Sequence, residues 1–165
     1  MDIATFHASR RFADVKSGRI AYVELGEGTA ALFIHGVPLN GYHWRHVVSR
    51  LRHRRRCIAI DLMGLGYTEI SPSQDVSFTS QAHMVRELID ALGIAKIDLI
   101  ANDSGGAIAQ IFAAHQLEGV VREHIARDFF GILALPCRST PCSYRLLERL
   151  RISSLCCCQF GLKTG

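Results

Sequence analysis

Two short apolar runs, Ala30–Ile34 and Cys57–Ile60, and a third stretch, Ile97–Ile100, interrupted by Asp98, punctuate this chain, and the stretches around them place their apolar residues at helical spacing. A run of four or five apolar residues without polar alternation suits a strand covered on both faces. Between the runs, Trp44, Val47, Val48 and Leu51 recur as one helical stripe within Gly41 to His53. A second helix has Thr79 as its cap, Val85, Leu88, Ile89 and Leu92 as its core face, and Gly93 where a helix end favours a left-handed residue. Gly105 and Gly106 open a third, over Ala107 to Ala114. Ahead of these, Arg19–Leu25 alternates like a half-buried strand, and Gly26 to Thr29 supplies a turn. Strands alternating with helices predict an α/β fold with a mostly parallel sheet and helices on both faces.

With 165 residues the chain has room for one ordinary core. The clean alternation stops near residue 116: Leu117 to Arg127 carries charge, without a clear apolar face beyond Val120, Val121 and Ile125. Phe129 to Leu135 can form one more strand, but Arg138 to Gly165 does not read as a packed element. We therefore divide the chain into a core, 1–116, and an atypical tail, 117–165, such as a shifted reading frame would produce. A tail foreign to the fold would leave the strand at Ile97–Ile100 with an open edge, which favours self-association.

Charge and targeting exclude several function classes. Nineteen Lys and Arg against fifteen Asp and Glu give a formal charge of +4, too little to imply a polyanionic partner. The Arg50, Arg52, Arg54, Arg55 and Arg56 run lies at a helix end, where cations meet a favourable dipole, and no aromatic residues are interleaved to stack bases; no nucleic-acid partner is expected. Met1 to Phe12 lacks the form of a secretory signal and no apolar run is long enough to span a bilayer, so a cytoplasmic protein without a membrane partner is expected. Of six cysteines, Cys57 stands apart while Cys137, Cys142, Cys156, Cys157 and Cys158 crowd the tail, and no spacing resembles a metal site.

The most specific feature is Leu99-Ile100-Ala101-Asn102-Asp103-Ser104-Gly105-Gly106-Ala107, a buried strand turning sharply into a helix of small residues. A nucleophile elbow has this form: its reactive residue takes a strained backbone, and the residues two before and two after must be small for strand and helix to pass closely. Ala101 and Gly105 meet that requirement around Asp103; around Ser104 the same positions would be Asn102 and Gly106, and Asn is poorly suited.

Upstream, Ile34-His35-Gly36-Val37-Pro38 closes a buried strand and leads to Tyr42, Trp44 and Arg45, while Asp61-Leu-Met-Gly64-Leu-Gly66-Tyr-Thr68 follows the next strand. With the elbow, these motifs resemble the α/β-hydrolase superfamily, and His-Gly-x-Pro followed by Tyr-x-Trp-Arg looks most like its haloalkane dehalogenase and epoxide hydrolase group. The resemblance covers about residues 10 to 116. It implies the N-terminal half of an α/β-hydrolase fold, with the cap domain and last strands absent.

It further implies Asp103 as nucleophile, the Val37 and Ser104 backbone N–H groups as an oxyanion hole, and His35, Gly36, Pro38 and Gly105 as support, with no metal or cofactor. A carboxylate is ionised at neutral pH without help from a base, and its attack on an sp3 carbon gives an ordinary ester; a small apolar haloalkane or epoxide is the implied substrate. A His with an acidic partner would then activate water against that ester. The resemblance places this base beyond the matched residues, so the chain is expected to be catalytically incomplete. Ser104 stands where such dehalogenases carry Trp, and Val37 where they often carry Asn, so no specific halide site is implied. Two other readings remain open: a non-catalytic remnant that binds a small ligand or a partner, and an ester hydrolase using Ser104.

Overall fold

The computed structural model describes residues 1–114, and the backbone of 115 and of 121–126. Among the described residues six strands form one sheet in the order β1-β2-β4-β3-β5-β6. They are β1 (Arg10–Val15), β2 (Gly18–Leu25), β3 (Ala30–Ile34), β4 (Arg56–Ile60), β5 (Ile97–Ala101) and β6 (Val121–Ala126). The first three neighbours, β1, β2 and β4, pair antiparallel; β3 then pairs parallel with β4 and β5, and β5 parallel with β6. Four α-helices among the described residues accompany them: α1 (Ile3–Ala8), α2 (Arg45–Leu51), α3 (Phe78–Ala91) and α4 (Ser104–His115).

The apolar runs are continuous because the sheet is covered twice. Ala30, Leu32 and Ile34 of β3 join Ile58 and Ile60 of β4 and Ile97 and Leu99 of β5 in a core with Met84, Val85, Leu88 and Ile89 of α3 and Ile108, Ala109 and Phe112 of α4. Intervening residues turn the other way: Ala31, Phe33, Cys57 and Ala59 pack with Phe6 of α1, Trp44 and Val48. Since side chains alternate across a strand, each run supplies both cores. The Cys57 thiol lies in the second core, where burial pushes its pKa up to about 11 and keeps it protonated.

Several boundaries differ from the sequence-based expectation. The cap of α3 is Ser77, whose Oγ accepts from the Ser80 N–H at 3.3 Å, and Thr79 lies inside the helix. The Gly41–His53 helix divides into a 3-10 turn, Gly41–Trp44, and α2, because Asn40 Oδ1 accepts from the Tyr42 N–H and tightens the first turn. Gly93 takes the left-handed conformation expected of it, at φ +62°. Ahead of β2 lie two unanticipated elements, α1 and β1; Asp2 caps α1 by accepting from the Thr5 N–H at 2.8 Å, and Phe6 anchors it.

The largest correction concerns the sheet edge. Strand β6 pairs with β5 from Ile97↔Val121 to Ala101↔Ala126, so β5 is an interior strand and the open edge expected there is covered. The sheet thus continues past residue 116. The expected strand at Phe129 to Leu135 and the five C-terminal cysteines lie outside the described residues.

Candidate active site

Three strand ends meet at one edge of the sheet, where the parallel strands β3, β4 and β5 all finish and loops can present side chains to a ligand. At the end of β5 the chain passes through Asp103 into α4. Asp103 has φ +51°, and among the described residues no other non-glycine has a positive φ. An L-residue held in that region is strained by its own Cβ, so its surroundings must impose it. They do: the Asn102 N–H donates to Ile34 O and the Gly106 N–H to Asp103 O at 2.9 Å, closing the turn from both sides.

The small residues around this turn have steric reasons. A Cβ on Gly105 would lie 2.7 Å from Ile34 O and closer still to His35 O, so α4 could not start this near to β3. A Cβ on Gly36 would fall 2.6 Å from the Asp103 Cβ and overlap its carboxylate. Ala101 is fully buried. The Asp103 carboxylate therefore rests directly against the Gly36 backbone. Beside it, the Val37 N–H donates to Ser104 Oγ at 3.0 Å, joining the loop after β3 to the first residue of α4. Val37 itself is exposed, and its peptide bond to Pro38 is cis.

His35 is buried behind this loop. Its Nδ1–H donates to Gly36 O at 2.9 Å and its Nε2 accepts from the Leu62 N–H at 3.1 Å, an arrangement that defines the neutral tautomer. Burial pushes its pKa below the ordinary value, against smaller opposing effects of the Gly36 carbonyl and Asp61. With both nitrogens engaged by backbone, His35 ties the β3 loop to the β4 loop.

Asp61 organises the neighbouring loop. Its carboxylate accepts from the Gly41 N–H at 2.7 Å and from the Tyr67 N–H at 2.9 Å. Gly66, at φ +59°, is glycine because a Cβ would overlap the Asp61 carboxylate. Thr68 Oγ1 donates to Asp61 O and accepts from the Ala21 N–H, anchoring the loop to β2.

Sequence reasoning missed two polar contacts here. Gln81, buried on the apolar face of α3, both accepts from and donates to the Met63 backbone at 3.0 Å, holding the β4 loop against the helix. A Gln inside an apolar stripe was the available signal. His43 and Asn102, 59 residues apart in sequence, meet at 3.2 Å next to the elbow, while Asn102 Oδ1 is buried without a partner among the described residues. Burial, then Arg45, lowers the His43 pKa. In the arginine run, Arg55 pairs with Asp98 and Arg56 with Glu24, so two of its five charges are compensated on the spot.

The family model described as alpha/beta hydrolase fold matches residues 30–127. The chain belongs to the α/β-hydrolase family. The hydrolase match runs through β6, beyond residue 116. Among curated relatives, the hydrolase chain is 38% identical over 121 residues to the soluble epoxide hydrolase of Corynebacterium sp. (strain C12), covering 73% of this chain and 42% of that protein. It is 33% identical over 114 residues to haloalkane dehalogenase 2 of Mycobacterium tuberculosis (strain ATCC 25618 / H37Rv), covering 67% of this chain and 40% of the relative. The hydrolase chain thus spans about two fifths of the length of these relatives. Among solved structures, the epoxide hydrolase CorEH without ligand superposes with a TM-score of 0.69 at 30% identity, over 85% of this chain and 49% of that one. An epoxide hydrolase from Vigna radiata gives 0.67 at 30% identity, over 71% and 38%. No helix among the described residues is long and apolar enough to cross a membrane.

Proposed function

We propose that this hydrolase-family chain carries the nucleophile half of an enzyme that hydrolyses a small apolar electrophile of haloalkane or epoxide type through an ester on Asp103. The observation that carries this reading is the strained Asp103 at the strand-to-helix turn, φ +51°, packed against Gly36. Strain held at one carboxylate by two close backbone approaches has no evident structural benefit, and such strain clusters at reactive positions. Epoxide hydrolases and haloalkane dehalogenases among the relatives supply the substrate class.

In the first half-reaction a carboxylate oxygen of Asp103 attacks an sp3 carbon; the bond to halide breaks and the halide departs with the electron pair, or the bond to the epoxide oxygen breaks and that oxygen keeps the pair, stays on the adjacent carbon as an alkoxide and takes a proton from water. In the second, water attacks the ester carbonyl and the Val37 and Ser104 amides hold the oxyanion. We assign no base for this step among the described residues, since both nitrogens of His35 are engaged and His43 faces Asn102. Reaction at these residues is expected to stop at the ester.

The ester-hydrolase reading, with Ser104 as nucleophile, fits less well because the strained position is Asp103. Incubation of the intact chain with a small epoxide or alkyl bromide tests the choice by mass. Asp103 should gain the alkyl group, while an Asp103→Asn variant that labelled equally well would end the proposal.

A further inference from the structure

We propose that the Ser104 side chain is a gate on the oxyanion hole: in the free protein its hydroxyl holds the Val37 N–H, and a substrate-derived oxygen reaches that donor only once the side chain rotates away. The inference deepens the Asp103 reading and, for its covalent part, rests on it. Val37 and Ser104 are the two residues whose amides that reading assigns to the hole, and a direct bond of 3.0 Å from Val37 N–H to Ser104 Oγ joins them. The Asp103 carboxylate lies against Gly36, the residue just before Val37, so the amide satisfied by Ser104 belongs to the loop that the nucleophile packs against. The amide of Ser104 itself belongs to the first turn of α4, where N–H groups have no acceptor within the helix.

The two donors of the hole therefore differ. Ser104 N–H is open to a ligand by its place in the helix, whereas Val37 N–H must exchange one acceptor for another. A neutral ester carbonyl competes with the hydroxyl on equal terms. A developing oxyanion does not, because a charge-assisted hydrogen bond is roughly twice as strong as a neutral one. The hydroxyl consequently yields to the transition state and holds the donor in the ground state, so it discriminates in favour of the oxyanion at a cost in rate. Its cost is the net value of one solvent-accessible hydrogen bond, so removing it should accelerate any step that passes through the oxyanion by about three- to tenfold.

The test uses the full chain, alkylated at Asp103 with 1,2-epoxybutane and then treated with hydroxylamine in place of the unassigned base. Its nitrogen attacks the ester carbonyl carbon, the carbonyl pair moves onto oxygen, and collapse expels the alkoxide, which takes up a proton. The products are a hydroxamate at residue 103 and a diol. Ser104→Ala should release the diol about three- to tenfold faster than the unaltered chain. Ser104→Thr, which keeps the hydroxyl, should match the unaltered chain, and the Val37 amide should exchange its proton faster in Ser104→Ala alone. Equal or slower release from Ser104→Ala overturns the gate. If no ester forms at residue 103, the Asp103 reading fails, and amide exchange alone decides the gate: faster exchange in Ser104→Ala supports it, and unchanged exchange overturns it.

Discussion

Asp61 and Asp103 both follow the end of a parallel strand, both crowd a glycine, and do opposite things. Asp61 is buried, with its two oxygens each taking a backbone N–H, from Gly41 and Tyr67. Asp103 is half-exposed, stands at a positive φ, and faces Gly36, while the amide beside it is given to Ser104. A carboxylate saturated with donors is a fixed part of a loop and a poor nucleophile; one held in place by sterics keeps its lone pairs for a substrate. Identical side chains at equivalent strand ends thus separate by what the backbone offers them.

The largest expected effect breaks the pair apart by chemistry. Asp103→Asn should abolish alkylation at residue 103, because the amide is a far weaker nucleophile, while leaving the melting temperature nearly unchanged. Asp61→Asn should do the reverse: one buried N–H loses its acceptor and meets an NH2 instead, lowering unfolding free energy by about 3 kcal/mol as read by urea denaturation. Alkylation of its folded fraction should persist. If Asp61→Asn abolished labelling without loss of stability, the contrast drawn between the two carboxylates would be wrong.

Much of this contrast could be read from sequence, for a physical reason. Close approaches demand small residues at fixed offsets, so Ala101, Gly105, Gly36 and Gly66 mark the elbow and loops within short stretches of chain. Doubly covered strands likewise announce themselves, since Ala30–Ile34 must feed two cores. What escaped was whatever one face or one distant partner decides. Strand β1 is an edge with mixed burial, Arg10 and Arg11 among its six residues, and so shows no apolar period. Helix α1 has one buried anchor, Phe6. β6 reads as Val-Arg-Glu-His-Ile-Ala, charged enough to pass for a tail. The Val37–Ser104 bond joins residues 67 apart and leaves no local trace.

A third prediction concerns the histidine that joins the two loops. Burial lowers the His35 pKa in the folded chain, so the unfolded chain binds its proton first as pH falls. The stability that neutral His35 contributes is present in full above the ordinary histidine value of about 6.5 and is lost as pH falls through the folded value. His43, whose pKa is also lowered, adds in the same direction. Unfolding free energy should therefore decline from pH 7 toward pH 5, and His35→Gln should show a shallower decline from a lower starting point. An equal slope in that variant would mean that protonation of His35 is not coupled to the link between Gly36 and Leu62.

The smallest expected effect sharpens the comparison from the Asp61 side. Thr68 Oγ1 donates to Asp61 O at 2.8 Å and accepts from the Ala21 N–H at 2.9 Å, so it fastens the Asp61 loop to β2 without touching either carboxylate. Thr68→Val keeps the shape and removes the hydroxyl, leaving Ala21 N–H and Asp61 O buried and short of a partner; a loss of about 1–2 kcal/mol follows. Thr68→Ser, which keeps the oxygen, should recover most of it. Neither change should alter the rate at which Asp103 is alkylated, because the elbow is held by Ile34, Gly36 and Gly105 and not by the β4 loop. A slowed alkylation in Thr68→Val at full folding would show that strain at Asp103 is transmitted from the Asp61 loop, with the buried His35 bridge as the connection between them.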